Sequence, residues 1–339
     1  MKIVKQLRNR FFPAGLAKKK PLDTVLDRGE EASESSAMQK ASSWWGNKAM
    51  EAQQQALPSS WAECPIILSE YIAPLISGPA RQGWLETIAM EYFSQPVDQA
   101  LSLGCGSGGL ERHALKLNIA RNIDGLDISA EAIEIASTLA KDSRQDEHIR
   151  YAVANLNELE FKPDVYDAAF ASQSVHHIES LDHYMLQVRK ALKPGALFVI
   201  NEFVGPNQFQ WTDTQVELAQ QLLDTIPEKF KSSIRGEGLK VTIHRPSIEE
   251  MNAYDPTEAI CSEQIVEHLE KQFALIDRRD FGGTLLHLVL DDIAGNLSFC
   301  EEGIEIIRRL YREEARLIKE NVIGSDFTLL VARKETFAA

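Results

Sequence analysis

The stretch "LSLGCGSGGLER" at residues 101–112 constrains this chain more than any other: four glycines fall within six positions directly behind a short apolar run. An apolar run that breaks into glycines and then an amphipathic stretch predicts a β-strand entering a helix through a tight turn. Open α/β sheets hold the phosphate or nucleoside part of a ligand at such junctions. From residue 98 the pattern repeats. Short apolar runs at 98–103, 122–127, 149–154, 166–172 and 196–204 alternate with amphipathic stretches, which predicts βαβ units and a parallel sheet. Ala132, Ile133, Ala136, Leu139 and Ala140 form one helical stripe, and Leu181, Tyr184, Met185 and Val188 form another. "FALIDRRDF" (273–281) and "DFTLLVARK" (326–334) are the last strand candidates, separated by helices near 284–296 and 300–320.

The glycine run alone leaves its ligand open. Read as Gly104-x-Gly106-x-x-Gly109 it is a dinucleotide fingerprint; read as Gly104-x-Gly106-x-Gly108 it is equally a turn for S-adenosylmethionine. Asp127, 23 residues after Gly104 at the end of the second run, can accept both hydroxyls of a ribose from either cofactor. Ser129 is the natural N-cap of the helix that follows.

Composition removes other classes. A net charge of -14 argues against a nucleic-acid partner, because phosphate backbones are bound through clustered Lys and Arg. Cys64, Cys105, Cys261 and Cys300 form no C-x-x-C pair, which speaks against a zinc site or a disulfide framework and for a cytoplasmic location; no metal site is expected. Charge is uneven, however. Residues 1–20 carry seven Lys and Arg and no acid, so peripheral contact with an anionic membrane competes with a mobile basic tail. Trp44 and Trp45 stand out in the polar stretch that follows, and packing onto the main domain is the expectation for them.

Five fragments in order, "LSLGCGSG", "GLDISAEAIEIA", "YAVANLNEL", "YDAAFASQSVHHI" and "ALKPGALFVINEF", resemble the class I S-adenosylmethionine-dependent methyltransferases over residues 80–206. The "LKPG" element resembles the family's turn before the fifth strand, with Pro194 presetting φ and Gly195 free to take positive φ. The resemblance implies a Rossmann-like seven-stranded sheet, last strand antiparallel, with helices on both faces, an N-terminal helical segment and a helical insertion after strand five. It divides the chain into a basic tail and linker (1–57), a helical cap (58–97), the cofactor-binding core (98–206), a helical lid over the acceptor (207–272) and C-terminal strands and helices completing the sheet (273–339).

The resemblance also implies roles. Gly104, Cys105, Gly106 and Gly108 would pass under the methionine and ribose, Asp127 would hold the ribose hydroxyls and Ile128 would pack on the adenine. Asn155 stands where an acid commonly reaches the adenine amino group, and its amide oxygen can accept the same bond. Leu156 would offer a backbone amide, and Gln173 would meet the methionine amine. Ser102 replaces the acid that usually stands two residues before the first glycine. Glu111 is one substitute for it, and reads equally as a first-turn acid complementing a helix dipole.

Methyl transfer from a sulfonium needs alignment, exclusion of water and, for a hydroxyl acceptor, removal of a proton. His176, His177 and Glu202 are the catalytic candidates, since they follow the fourth and fifth strands. His244 beside Arg245 could meet an anionic acceptor; His287 reads as a core histidine or a pocket residue, and Trp211 as an acceptor wall or a lid anchor. The resulting expectation is a methyltransferase acting on oxygen of a small-molecule or carbohydrate acceptor. A non-catalytic protein of the same fold is the alternative, and an NAD-dependent oxidoreductase leaves the fourth and fifth fragments unexplained. Oligomeric state is not encoded in any of these patterns.

Overall fold

The computed structural model describes residues 57–335. The expectations for the basic tail, for Trp44 and Trp45 and for membrane contact through residues 1–20 lie outside the described residues.

Seven strands form one sheet: β1 (Val97–Leu103), β2 (Ala120–Asp127), β3 (Ile149–Val153), β4 (Tyr166–Ser172), β5 (Leu192–Phe203), β6 (Ala274–Asp280) and β7 (Phe327–Arg333). Their order is β3-β2-β1-β4-β5-β7-β6, parallel except that β7 runs antiparallel to both neighbours. The central strands are buried on both faces, so side chains alternate between two cores. Ala100, Phe170, Val199 and Val331 face one core, and Leu101, Ala169, Phe198 and Leu330 face the other.

After a continuous helical run over residues 65–77, the further helices are α1 (Trp84–Tyr92), α2 (Gly109–Lys116), α3 (Ala130–Asp142), α4 (Leu181–Ala191), α5 (Asp213–Asp224), α6 (Ile248–Tyr254), α7 (Ile265–Gln272), α8 (Thr284–Leu290), α9 (Ala294–Ser298) and α10 (Glu301–Lys319). In α3 the stripe buries Ala132, Ala136 and Ala140, small side chains that let the helix lie close to the sheet. Its N-cap is Ser129, whose hydroxyl accepts from the Ala132 amide at 3.2 Å. The α4 stripe is likewise buried.

The "LKPG" element departs from expectation. It lies inside β5 rather than before it. β5 advances from Leu192 to Leu197 while β4 advances only from Tyr166 to Ala168, so Lys193–Ala196 bulge out of the ladder. Gly195, at φ +80°, makes the excursion possible, and its amide donates to the Lys334 carbonyl at 2.9 Å across the edge toward β7.

The chain reverses direction across the sheet between β1 and β4. Ligands of open α/β sheets gather in the crevice at such a switch point, outside the carboxyl ends of the strands. Among the described residues no helix is long and apolar enough to cross a membrane.

Candidate functional site

β1 delivers its glycines into that crevice. Gly104, Gly106 and Gly108 all hold positive φ, at +69°, +49° and +76°. A Cβ on Gly104 would stand 2.3 Å from the Ser174 Cβ, so only glycine lets this turn close against the turn after β4. A Cβ on Gly106, by contrast, would meet nothing within 4 Å: the backbone there faces open space, a cradle with room for a ligand.

Asp127 closes the cradle from β2. Its Oδ2 accepts the Gly106 amide at 2.8 Å and its Oδ1 accepts the Ser129 amide at 2.9 Å. Burial raises its pKa, and those amides pull against the rise. Each oxygen keeps a lone pair, so the carboxylate can lock the turn and accept ribose hydroxyls at once. Cys105 is buried, and burial followed by the Glu111 and Asp127 charges pushes its thiol well up, which makes it a packing residue of the turn rather than a nucleophile.

Ser102 and Glu111 meet behind the turn. Glu111 is fully buried in the first turn of α2, and neither carboxylate oxygen has a partner in hydrogen-bond geometry. Burial lifts its pKa to about 7, with Ser102 the foremost opposing influence. The first-turn position and the place beside Ser102 thus belong to the same carboxyl. The Asn155 oxygen caps its own turn, accepting the Asn157 amide at 3.0 Å, and Leu156 packs against the core. Gln173 is exposed at the end of β4 with φ +52°, its amide donating to the Asn201 carbonyl.

The turn after β4 joins this cradle to a second group of side chains. The Ser174 hydroxyl donates to the Leu103 carbonyl at 2.8 Å, and a short helical turn, Val175–His177, follows. Glu202 from β5 lies beneath it. The Glu202 carboxylate accepts the amides of Ser174 (2.9 Å), Val175 (2.7 Å) and Phe203 (2.7 Å) and stands 2.5 Å from His176 Nδ1. Glu202, a catalytic candidate by its position after the fifth strand, has no exposed surface, and its oxygens are committed to the turn and to His176.

Glu258 completes the group. It comes from the turn after α6 and stands 3.4 Å from His176 Nε2 on the side opposite Glu202. Burial alone would lower the His176 pKa, but the two carboxylates outweigh it and lift it to about 10. His177 lies against His176, ring centroids 4.1 Å apart, and burial together with the His176 charge pulls its pKa down. Its Nδ1 stands 3.2 Å from the Thr257 carbonyl. The Ile260 amide donates to the His176 carbonyl at 3.0 Å, which fastens the 255–261 turn to the turn after β4.

Glu258 also lines a cavity of about 650 Å³ between the 233–258 segment and α8, shared with Phe209, Trp211, Ile243, Met251 and His287. Phe209 stacks flat on Trp211 at 5.0 Å, and His287 stands edge-on to both. Trp211 is therefore a wall of the cavity and part of the core at the same time. His244 borders the cavity too, but it is exposed and paired with Glu250, and Arg245 is paired with Asp213, so neither is an unmatched anion site. Glu258 escaped the sequence reading because it stands 82 residues beyond His176 in the unremarkable run "DPTEAI". No spacing rule connects the two.

A seven-stranded sheet of this order, with a glycine turn at the switch point and a carboxylate closing it from the next strand, defines a Rossmann-like nucleoside-binding protein. Residues 101–198 match a family model described as a methyltransferase domain. A 2-phytyl-1,4-naphtoquinone methyltransferase of Trichormus variabilis is 31% identical over 42% of this chain and 61% of its own length. A sterol 24-C-methyltransferase of Clavispora lusitaniae is 26% identical over 42% of this chain and 38% of its own. The chain thus spans less than two thirds of the length of these curated relatives. In fold it is similar to geranyl diphosphate C-methyltransferase from Streptomyces coelicolor A3(2), with a TM-score of 0.52 and 15% identity over 90% of this chain and 100% of that one. Residues 101–198 thus match a methyltransferase domain, and S-adenosylmethionine, rather than a dinucleotide, is the cofactor that the match supports.

Proposed function

We propose that this protein transfers the methyl group of S-adenosylmethionine to a hydroxyl of a small, largely apolar acceptor held in the cavity beside Glu258. The observation that carries the proposal is a continuous wall. The Gly104 turn packs on Ser174, Ser174 leads into His176 and His177, and Glu258 joins that pair to the cavity. Donor and acceptor would thus meet across one short turn.

The open backbone at Gly106 and the carboxylate of Asp127 fit a nucleoside whose ribose lies over the glycine turn. When bound, the sulfonium supplies an already activated methyl group. The chain's own residues do the rest. Gly104, Cys105, Gly106 and Gly108 shape the cradle, Ile128 and Leu156 offer apolar contact to the base, and Asn155 and Gln173 border it. His176, held protonated between Glu202 and Glu258, takes up no further proton; the turn it shares with His177 borders the place where an acceptor hydroxyl would stand. Glu202 positions His176, and the stacked Phe209 and Trp211 exclude water. The relatives are named for a phytyl naphthoquinone, a sterol and geranyl diphosphate, all small molecules with large apolar parts, in keeping with the Phe209, Trp211 and Met251 side of a cavity that Arg235, Lys240, Asp291 and Asp292 also line. Nothing among them favours a carbohydrate. Two of the names specify carbon as the accepting atom, which makes C-methylation the second reading.

Calorimetry with S-adenosylhomocysteine and NADH comes first, with binding of the former alone expected. Transfer of labelled methyl to a panel of quinols, phenols, sterols and prenyl diphosphates then tests the acceptor class. Label on oxygen supports the proposal, and label on carbon alone selects the second reading.

A further inference from the structure

We propose that His176, His177 and Glu258 form a binding site for a divalent first-row transition cation at the edge of the acceptor cavity. Each offers one ligand atom, and the three atoms lie within 4.8 Å of one another. Two imidazoles and one carboxylate are a donor set for zinc, iron, cobalt or nickel, whereas magnesium and calcium take oxygen ligands.

The orientation of the rings is that of metal ligands. Glu202 receives His176 Nδ1 at 2.5 Å, which fixes the proton on that nitrogen and turns Nε2 toward Glu258. The Thr257 carbonyl, an acceptor only, stands 3.2 Å from His177 Nδ1 and selects the corresponding tautomer there. A carboxylate or carbonyl behind each ligating histidine is the usual support of such sites. The gap between His176 Nε2 and Glu258 Oε1 is 3.4 Å, longer than a charge-assisted hydrogen bond, which runs about 2.7–2.9 Å. It equals the separation of two ligands on a tetrahedral zinc with bonds of about 2.0–2.1 Å.

Three protein ligands leave a fourth position. Because Glu258 lines the cavity, that position opens toward the acceptor. A cation there would bind the acceptor oxygen and stabilise its deprotonated form, with the proton leaving to solvent and no change in oxidation state. This role rests on the methyl-transfer proposal; the site itself does not.

The test uses the untagged full chain, stripped by a chelator and titrated with Co2+ while the visible d–d absorption is followed. One saturable Co2+ per chain, displaced by Zn2+ and not by Mg2+, is expected. His177→Ala and Glu258→Gln should each remove the band, and Glu202→Gln should weaken binding about 10- to 100-fold. Calorimetry with S-adenosylhomocysteine on each variant reports whether the cofactor side stays folded. No band in the unaltered chain, or a band that survives both ligand variants, overturns the site. Co2+ binding without S-adenosylhomocysteine binding would keep the site and sink the methyl-transfer proposal, and the reverse result would do the opposite.

Discussion

The proposed cofactor side and the proposed acceptor side of this molecule are built in opposite ways. On the cofactor side the key bonds join neighbours in the chain or adjacent strands: Asp127 holds Gly106, 21 residues away, and Ser129, two residues away. The acceptor side is held by ties of long reach. His176 meets Glu258, 82 residues on, and Glu314 of α10 joins the amides of Gly283, Leu285 and Leu286 at the start of α8 to Tyr71, 243 residues back. A general nucleoside cradle can be written in a short segment. A pocket for a particular acceptor needs walls from several parts of the chain, so it is the side that can vary without disturbing the other.

The comparison is broken most forcefully at Glu314. Fully buried, it accepts three amides and the Tyr71 hydroxyl, so Glu314→Ala leaves several donors unpaired and should cost about 3–5 kcal/mol, read as a fall in the denaturation midpoint. Glu314→Gln should recover part of that loss. An unchanged midpoint in Glu314→Ala would mean that α8 is held by its apolar packing alone.

On the cofactor side the largest effect is expected at Asp127. Removing the carboxylate frees the Gly106 turn and any ribose bond together, so Asp127→Ala should weaken S-adenosylhomocysteine binding by about 100-fold, two lost charge-assisted bonds at about 1.5 kcal/mol each. Affinity within a few-fold of the unaltered chain would place the cofactor elsewhere.

Glu111 sharpens the comparison through pH. Its folded pKa of about 7 lies above the ordinary 4.5, so the folded chain keeps a proton that the unfolded chain has lost. Its contribution to stability is therefore greatest below about pH 4.5, falls as pH rises toward 7 and is level above that. Glu111→Gln should flatten the stability profile across that window and make the protein more stable at pH 8, by about 2–3 kcal/mol at most. A profile equally steep in the variant would assign the slope to other groups. The smallest effect is expected at the exposed pair of Arg245 and Asp213, where Arg245→Ala should change stability by about 0.5 kcal/mol or less.

The central strands were legible in the chain because strands buried on both faces need apolar runs, and such runs are visible without partners, whereas the edge strand β6, with no buried residue, was legible only from its short apolar start "FALI". The Gly104 turn, Asp127 and the Ser129 cap were legible for a related reason: each answers a local backbone requirement. "LKPG" was misplaced by its own signal. Proline and glycine announce a turn, but β5 starts before them and absorbs both in a bulge, a choice made by pairing with β4 and β7. Glu202 was found as a candidate, but its position after "VIN" shows only that it lies near the end of a strand and says nothing about the amides above it.

By itself the sequence determined the sheet, its helices and the glycine cradle, because those follow from hydrophobic period and local backbone geometry, which neighbouring residues carry in full. The tertiary structure alone decided that Glu258 faces His176, that Glu111 is buried beside Ser102 and that Phe209 and Trp211 wall a cavity. Those are meetings of side chains from distant segments. Their distances depend on how whole layers pack, and no spacing along the chain records them.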